Sequence, residues 1–272
     1  MSVKRVKLVV AYDGTNYCGW QVQPNGITIE GVLNRELSKL LKEDIVVIGA
    51  SRTDSGVHSY GNVAVFDTNA RMPAEKISYA LNQRLPEDIV VQNSCEVPPD
   101  WHPRHCNSRK TYEYRILNRE FPMPQRRLDT WFVYRKLNVP AMCDAAKRLE
   151  GTHDFKSFCS VNTAVEDTTR TIYSCEVKQE GELLTIRVTG SGFLYNMVRI
   201  IAGTLIRVGG GYYPPEHVKE ILEGKNRELA GETARPEGLT LVEIRYPEWE
   251  AKKDGHFVSV DPLPQKDDRD SD

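Results

Sequence analysis

The most chemically loaded stretch of the chain is Ser51-Arg-Thr-Asp-Ser-Gly-Val-His58. It sets a carboxylate, Asp54, two residues after Arg52, follows it with Ser55 and Gly56, and ends on His58. Asp-Ser-Gly is good turn chemistry in its own right, because an Asp side chain accepts nearby backbone N–H groups. The same residues also read as a carboxylate presented from a strand end. An Asp close to an arginine is expected to have a lowered pKa, which keeps it ionised and able to act as a nucleophile or base. The spacing leaves both readings open.

A second segment, Trp101 to Arg115, interleaves Arg104, Arg109, Lys110 and Arg115 with Trp101, Tyr112 and Tyr114. Bases stack on aromatic faces and phosphates pair with Lys and Arg, so this mixture suits single-stranded or flipped-out RNA. It also suits a solvated strand whose tyrosines are core, and Tyr112 and Tyr114 do share a face. The third segment is Gly190 to Gly209. Leu194, Met197, Val198, Ile201, Leu205 and Val208 form a wide apolar stripe, and Ile200 and Ile206 make the helix apolar nearly all round, which predicts burial. Arg199 inside such a helix is expensive unless an anion meets it. That anion is either a structural partner or a catalytic carboxylate. Gly209-Gly-Gly211 has no Gly-Lys-Ser/Thr after it, so it is a helix stop and not a phosphate loop.

Positioning these groups falls to an element pattern that occurs twice. Val6, Leu8, Val10 and Tyr12 alternate on a strand, and Ile29, Val32, Leu33, Leu37, Leu40 and Leu41 recur at helical spacing. Ile45 to Ile48 is expected to be a short buried strand, with Val63 and Val65 on another that ends near Asp67. Pro73 opens a helix through Leu81, and Asp88 to Val91 forms a strand, giving βαββαβ. The order then repeats. Tyr112, Tyr114 and Ile116 alternate on a strand; a helix runs from Pro140 to Leu149 and stops at Gly151. A hairpin follows (171–177 and 183–188), then the apolar helix from about Phe193 to Val208. Pro215 to Leu222 gives an extra helix and Leu241 to Tyr246 a last strand. The expected fold is α+β, a tandem of two ferredoxin-like α/β sandwich halves with a central RNA-binding cleft. The expected boundaries are 1–105, 106–250 and an acidic tail, 251–272.

Composition bounds the rest. With 272 residues, 40% apolar and 27% charged, most of the chain should be globular. No apolar run approaches the roughly 18 to 20 residues of a membrane span. The basic start, Met1 to Lys7, is followed by an apolar run too short for a signal peptide. Six scattered cysteines, without a C-x-x-C pair or a histidine at zinc spacing, fit reduced thiols in the cytoplasm and predict no metal. Net charge is −2, so any nucleic-acid site must come from local clustering. The last 22 residues carry six acids against four bases and read as disordered.

In four boxes plus the Asp54 box the sequence resembles the tRNA pseudouridine synthase A family. The Asp54 box, Ser51 to His58, matches Gly-Arg-Thr-Asp-Ala-Gly-Val-His, with Ser51 and Ser55 replacing small family residues. Tyr12-Asp-Gly14 with Gly19-Trp-Gln21, Leu85-Pro-Glu-Asp-Ile89, Lys110-Thr-Tyr-Glu-Tyr114, and Phe193 to Gly203 follow the family order. The resemblance spans about Lys7 to Pro247. It implies isomerisation of uridine to pseudouridine in the anticodon arm of tRNA, at positions 38 to 40. That reaction breaks the N1–C1′ bond, turns the uracil and joins C5 to C1′. Asp54 would be the essential carboxylate, adding to C1′ or removing a sugar proton, and Arg199 would hold it ionised. Tyr112 would stack on the base, and Arg52 would help extrude the nucleotide. His58 would also face the substrate, while Arg104, Arg109 and Lys110 would meet phosphates. The resemblance implies no cofactor, and a homodimer whose two subunits share one tRNA, with no membrane and no DNA as partner. A non-enzymatic RNA-binding or tRNA-folding protein would need the basic and aromatic segments but not Asp54. The same chemistry on another structured RNA is the remaining alternative.

Overall fold

The computed structural model describes residues 3–160 and 165–247; the predicted acidic tail, 251–272, lies outside them. In chain order the elements begin β1 (Lys4–Tyr12), α1 (Ile29–Leu41), β2 (Ile48–Gly49), β3 (His58–Thr68), α2 (Ala74–Asn82) and β4 (Ile89–Val97). They continue β5 (Arg109–Asn118), β6 (Trp131–Val133), α3 (Val139–Lys147), β7 (Gly151–Asp154), β8 (Thr169–Glu180) and β9 (Leu183–Gly190). Then come α4 (Met197–Gly209), α5 (His217–Gly224) and β10 (Leu239–Arg245).

The alternating residues of β1 are buried, as are the helically spaced Ile29, Val32, Leu33, Leu37 and Leu41 of α1. Thr28 starts α1 by accepting the Gly31 N–H at 3.2 Å, a cap worth about 1 kcal/mol. Two predicted elements differ. Ile45 and Val47 are buried but are not strand residues. The Ile45 N–H donates to Ser38 Oγ and the Val47 N–H to Asn34 Oδ1, so α1 side chains take the donors a neighbouring strand would have used. Only Ile48 and Gly49 pair, with Val65 and Ala64. Helix α4 begins at Met197 and not at Phe193, because Asn196 sits in the left-handed region at φ 61, where a helix cannot continue and where Asn is tolerated. The short strands β6 and β7 had no alternating pattern to announce them.

All ten strands join one sheet in the order β4-β1-β3-β10-β5-β9-β8-β7, with β2 attached to β3 and β6 to β5. Neighbours are antiparallel except at β3–β10 and β5–β6. β3 belongs to two cores. Ala64 and Phe66 pack with β1, α1 and α2, whereas Val63 and Val65 join the larger core containing Tyr112, Tyr114 and the α4 residues. At the seam, Ser59 of β3 stands beside Leu241 of β10, which stands beside Tyr112 of β5. The start of β3 and the middle of β5 are thus two strands apart, and the chain just before β3 is the segment carrying Asp54. No helix among the described residues is long and apolar enough to cross a membrane.

Candidate active site

Residues 50–57 link β2 to β3, and polar bonds hold almost every turn of that loop. The Trp20 N–H donates to Thr53 O at 3.0 Å and the Gly56 N–H to Tyr17 O at 3.3 Å. Ser55 Oγ donates to Tyr17 O, Asn62 Nδ2 donates to Ser51 O at 2.9 Å, and the Tyr12 and Thr53 hydroxyls lie 2.8 Å apart. The loop lies directly on the segment 14–19. Gly14 has no room for a Cβ against Val57 O, and at Gly19 (φ +83) a Cβ would stand 2.5 Å from Thr53 O. These glycines, visible in the sequence only as part of a motif, are the bed of the loop.

The carboxylate of Asp54 is met by Arg199 from the first turn of α4, Nη1 donating to Oδ2 at 3.1 Å. Both side chains are largely buried, at 20% and 15% exposure. The guanidinium is itself fixed, Nε donating to Ala234 O at 2.7 Å and Nη1 to Asn196 Oδ1 at 2.9 Å. The left-handed Asn196 that delays α4 therefore also aims its arginine. The expected anion for Arg199 is present, and it is Asp54. The expected lowering of the Asp54 pKa is not found. Burial pushes it above the ordinary value, and the hydrogen bond and charge of Arg199 oppose that without cancelling it. Arg52, expected to be the nearby cation, is exposed and pairs with no carboxylate among the described residues. A carboxylate both held in place and made more basic is suited to attack carbon or remove a proton.

Tyr112 is buried with its hydroxyl 2.8 Å from Ser51 Oγ and the Phe193 ring edge-on at 5.2 Å. Burial drives the phenol up to about 12, the Ser51 bond lowering it and the charge of Asp54 raising it. Lys110 is half-buried, and its Nζ donates to Ala50 O at 2.9 Å. Arg109 is exposed, its guanidinium 4.8 Å above the Tyr173 ring, and Arg104 is exposed as well. His58 is placed differently. It is buried, Nδ1 accepts the Gly14 N–H at 3.1 Å, and Nε2 lies 3.2 Å from Glu237 O. Nδ1, which also stands 3.1 Å from Asp13 Oδ1, ties the end of the loop to the turn after β1, and Nε2 ties it to the segment before β10. Phe193, Asn196, Ala234, Gly14 and Gly19 shape the site without having been singled out individually. Among the described residues, no three His, Cys, Asp or Glu side chains converge on a point that could hold a metal ion.

The arrangement sets an arginine-held aspartate near a buried tyrosine whose phenol feels its charge, a geometry suited to carboxylate chemistry. A family model described as tRNA pseudouridine synthase matches residues 8–105 and 145–247. The chain is 46% identical over 244 residues to tRNA pseudouridine synthase A of Thermoanaerobacter sp. (strain X514), covering 90% of this chain and 100% of that one. It is 46% identical over 245 residues to the protein of the same description from Ruminiclostridium cellulolyticum, again over 90% and 100%. The Geobacter sp. (strain M21) counterpart is 45% identical over 247 residues, with the same coverage. The chain belongs to the tRNA pseudouridine synthase family. It is an isomerase that acts on uridine in tRNA.

Proposed function

We propose that this chain converts uridine to pseudouridine in the anticodon arm of tRNA, at positions 38 to 40, with Asp54 as the essential carboxylate. The Asp54–Arg199 pair carries the reading. It joins residues 145 apart in sequence in a largely buried contact, with Tyr112 close enough to feel the aspartate's charge. Asp54 either adds to C1′ as N1 departs or removes a sugar proton to give a glycal. Arg199 orients the carboxylate, and Tyr112 stacks on the freed uracil. Arg52, exposed beside the loop, helps hold the extruded nucleotide, and His58 braces the loop's far end towards the substrate. Arg104, Arg109 and Lys110 take phosphates.

The strand orders β4-β1-β3-β2 and β10-β5-β9-β8 support reading the molecule as two ferredoxin-like halves, about 1–105 and 106–250, with the RNA cleft between them. Each half then runs fourth, first, third, second strand. The near-neutral chain with local basic stretches is compatible with a cytoplasmic homodimer in which two copies share one tRNA, with neither DNA nor membrane as partner. This division leaves 251–272 as its third part.

Tritium release from tRNA transcripts labelled at uridine C5 tests the chemistry, because joining C5 to C1′ must expel that hydrogen. Release by the parent protein and none above background by Asp54→Ala is expected, and mapping the product to 38–40 fixes the substrate. Bound tRNA without release by either protein would turn the reading to a non-enzymatic RNA-binding role.

A further inference from the structure

Many cations of this protein stand beside a carboxylate, such as Arg5 on Asp67, Arg115 and Arg187 on Glu113, and Lys225 on Asp154. Lys110 does not. It is half-buried, its Nζ donates to the Ala50 carbonyl at 2.9 Å, and no described carboxylate lies within ion-pair distance. The charges it feels are those of Arg104, from the segment before β5, and Arg170, from β8. Strand register sets Lys110 opposite Gly190 of β9. Arg170 lies against Gly192 two residues on, its Cδ 3.9 Å from where a Cβ would be. Arg170 is likewise tied to carbonyls, those of Asp167 and Thr169 at 3.0 and 2.6 Å; no described carboxylate lies within ion-pair distance, though its charge reaches the Asp167 carboxylate. Lys110, half-buried beside two further cations and with no carboxylate partner of its own, costs free energy until an anion arrives.

We propose that Lys110, Arg104 and Arg170 form a pocket for one backbone phosphate of the RNA, and that Lys110 links this phosphate to the loop carrying Asp54 through its bond to Ala50. The inference rests on the tRNA-modifying reading above. It adds Arg170 to the binding residues and makes Lys110 a positioning residue as well as a counter-charge. An ammonium has three donors, so one on Ala50 leaves two for phosphate oxygens. Ala50 is four residues before Asp54, and the intervening chain is pinned at Ser51 and Thr53. Seating the phosphate therefore fixes the start of the catalytic loop.

The pocket has a proton signature. Burial, then Arg104 and Arg170, push the Lys110 ammonium down to about 8. A phosphate among the three cations opposes all of these causes, so Lys110 holds its proton more tightly in the complex. Other neighbours do not supply this behaviour. β9 offers Gly190 and β10 offers Ile244, flanked by Glu243 and Arg245, which pair with each other; Asp54 is engaged by Arg199. Affinity should be full below the free-protein pKa and fall as pH rises through it, by about tenfold between pH 7 and pH 9.

The test is tRNA binding by the full chain in an Asp54→Ala background from pH 7 to 9, comparing Lys110 with Lys110→Arg, whose charge does not titrate in this range. The lysine protein should lose about tenfold in affinity and the arginine protein should stay flat. Arg170→Ala should weaken binding at pH 7 and reduce the slope of log K against log salt by about one. With Asp54 intact, Lys110→Ala should also slow single-turnover tritium release at saturating tRNA, which loss of a phosphate contact alone would not do. Equal pH profiles for Lys110 and Lys110→Arg, an unchanged salt slope for Arg170→Ala, or a Lys110→Ala rate equal to the parent at saturation would each overturn the proposal while leaving the enzyme reading intact. No tritium release from the parent protein would instead overturn both.

Discussion

Between β2 and β3 the chain spends eight residues, 50–57, on a connection bonded to Tyr12, Tyr17, Trp20, Asn62 and Lys110. Between β8 and β9 it spends two, Gly181 and Glu182, and a Cβ at Gly181 (φ +60) would meet nothing within 4 Å. Both join antiparallel strands or lead into them, yet only the first holds a carboxylate away from water. The difference lies less in the loops than in what lies beneath them. A tight turn needs one residue at positive φ and no support. A loop that presents a buried acid needs its backbone groups satisfied one by one, and a floor flat enough to rest on. Here Gly14 and Gly19 provide the floor and Arg199 provides the countercharge.

Removing the countercharge should break this contrast most severely. Arg199→Ala should lower single-turnover tritium release on the order of a hundredfold. Burial already raises the Asp54 pKa and Arg199 is what opposes it, so the variant should titrate at still higher pH. The acid limb of the pH–rate profile should therefore move upward, and the deficit should deepen as pH falls; an unmoved limb would mean that Arg199 acts only through stability. Gly19→Ala comes next. Its Cβ would crowd Thr53 O at a positive φ, and about a tenfold loss of rate with a lowered Tm is expected. Ser51→Ala removes the hydroxyl beside Tyr112, worth about 1 kcal/mol or roughly fivefold in rate, with tRNA affinity unchanged. A double-mutant cycle with Tyr112→Phe checks whether the two act as one unit. Gly181→Ala should be the smallest, losing about 1 kcal/mol of stability and no activity. A rate defect there as large as that of Gly19→Ala would erase the distinction between the two connections.

Periodicity made α1, α2, α3, β1 and the β8–β9 hairpin legible, because their apolar spacing is local. It misled at Ile45 to Val47, whose apolar pattern satisfies its backbone on α1 side chains, and at Phe193, where one left-handed asparagine reset the helix start. The seam between β3 and β10 could not be read at all, since strand partners far apart leave no spacing signal. At the site, Arg199 in the first turn of an apolar helix announced an anion, but only the fold says which one. The pKa of Asp54 went the other way from expectation because burial is a property of the assembled molecule. Lys110 was placed among the phosphate ligands by its charge; its bond to Ala50 depends on strand register.

The parallel seam also governs when the molecule can begin to work. β10 is the last of the described strands to be synthesised, yet it lies between β3 and β5. At ribosomal speeds, on the order of ten seconds or more separate the emergence of Asp54 from that of β10. Once made, β3 and β5 each keep an unpaired edge until β10 arrives, and for most of the interval the aspartate waits for an arginine 145 residues downstream. With Asp54 as the proposed catalytic carboxylate, a nascent chain is expected to be silent until Arg199 arrives, and it is open to wrong pairing at those edges. Translation must pass Arg199 to end the first condition and reach β10 to end the second.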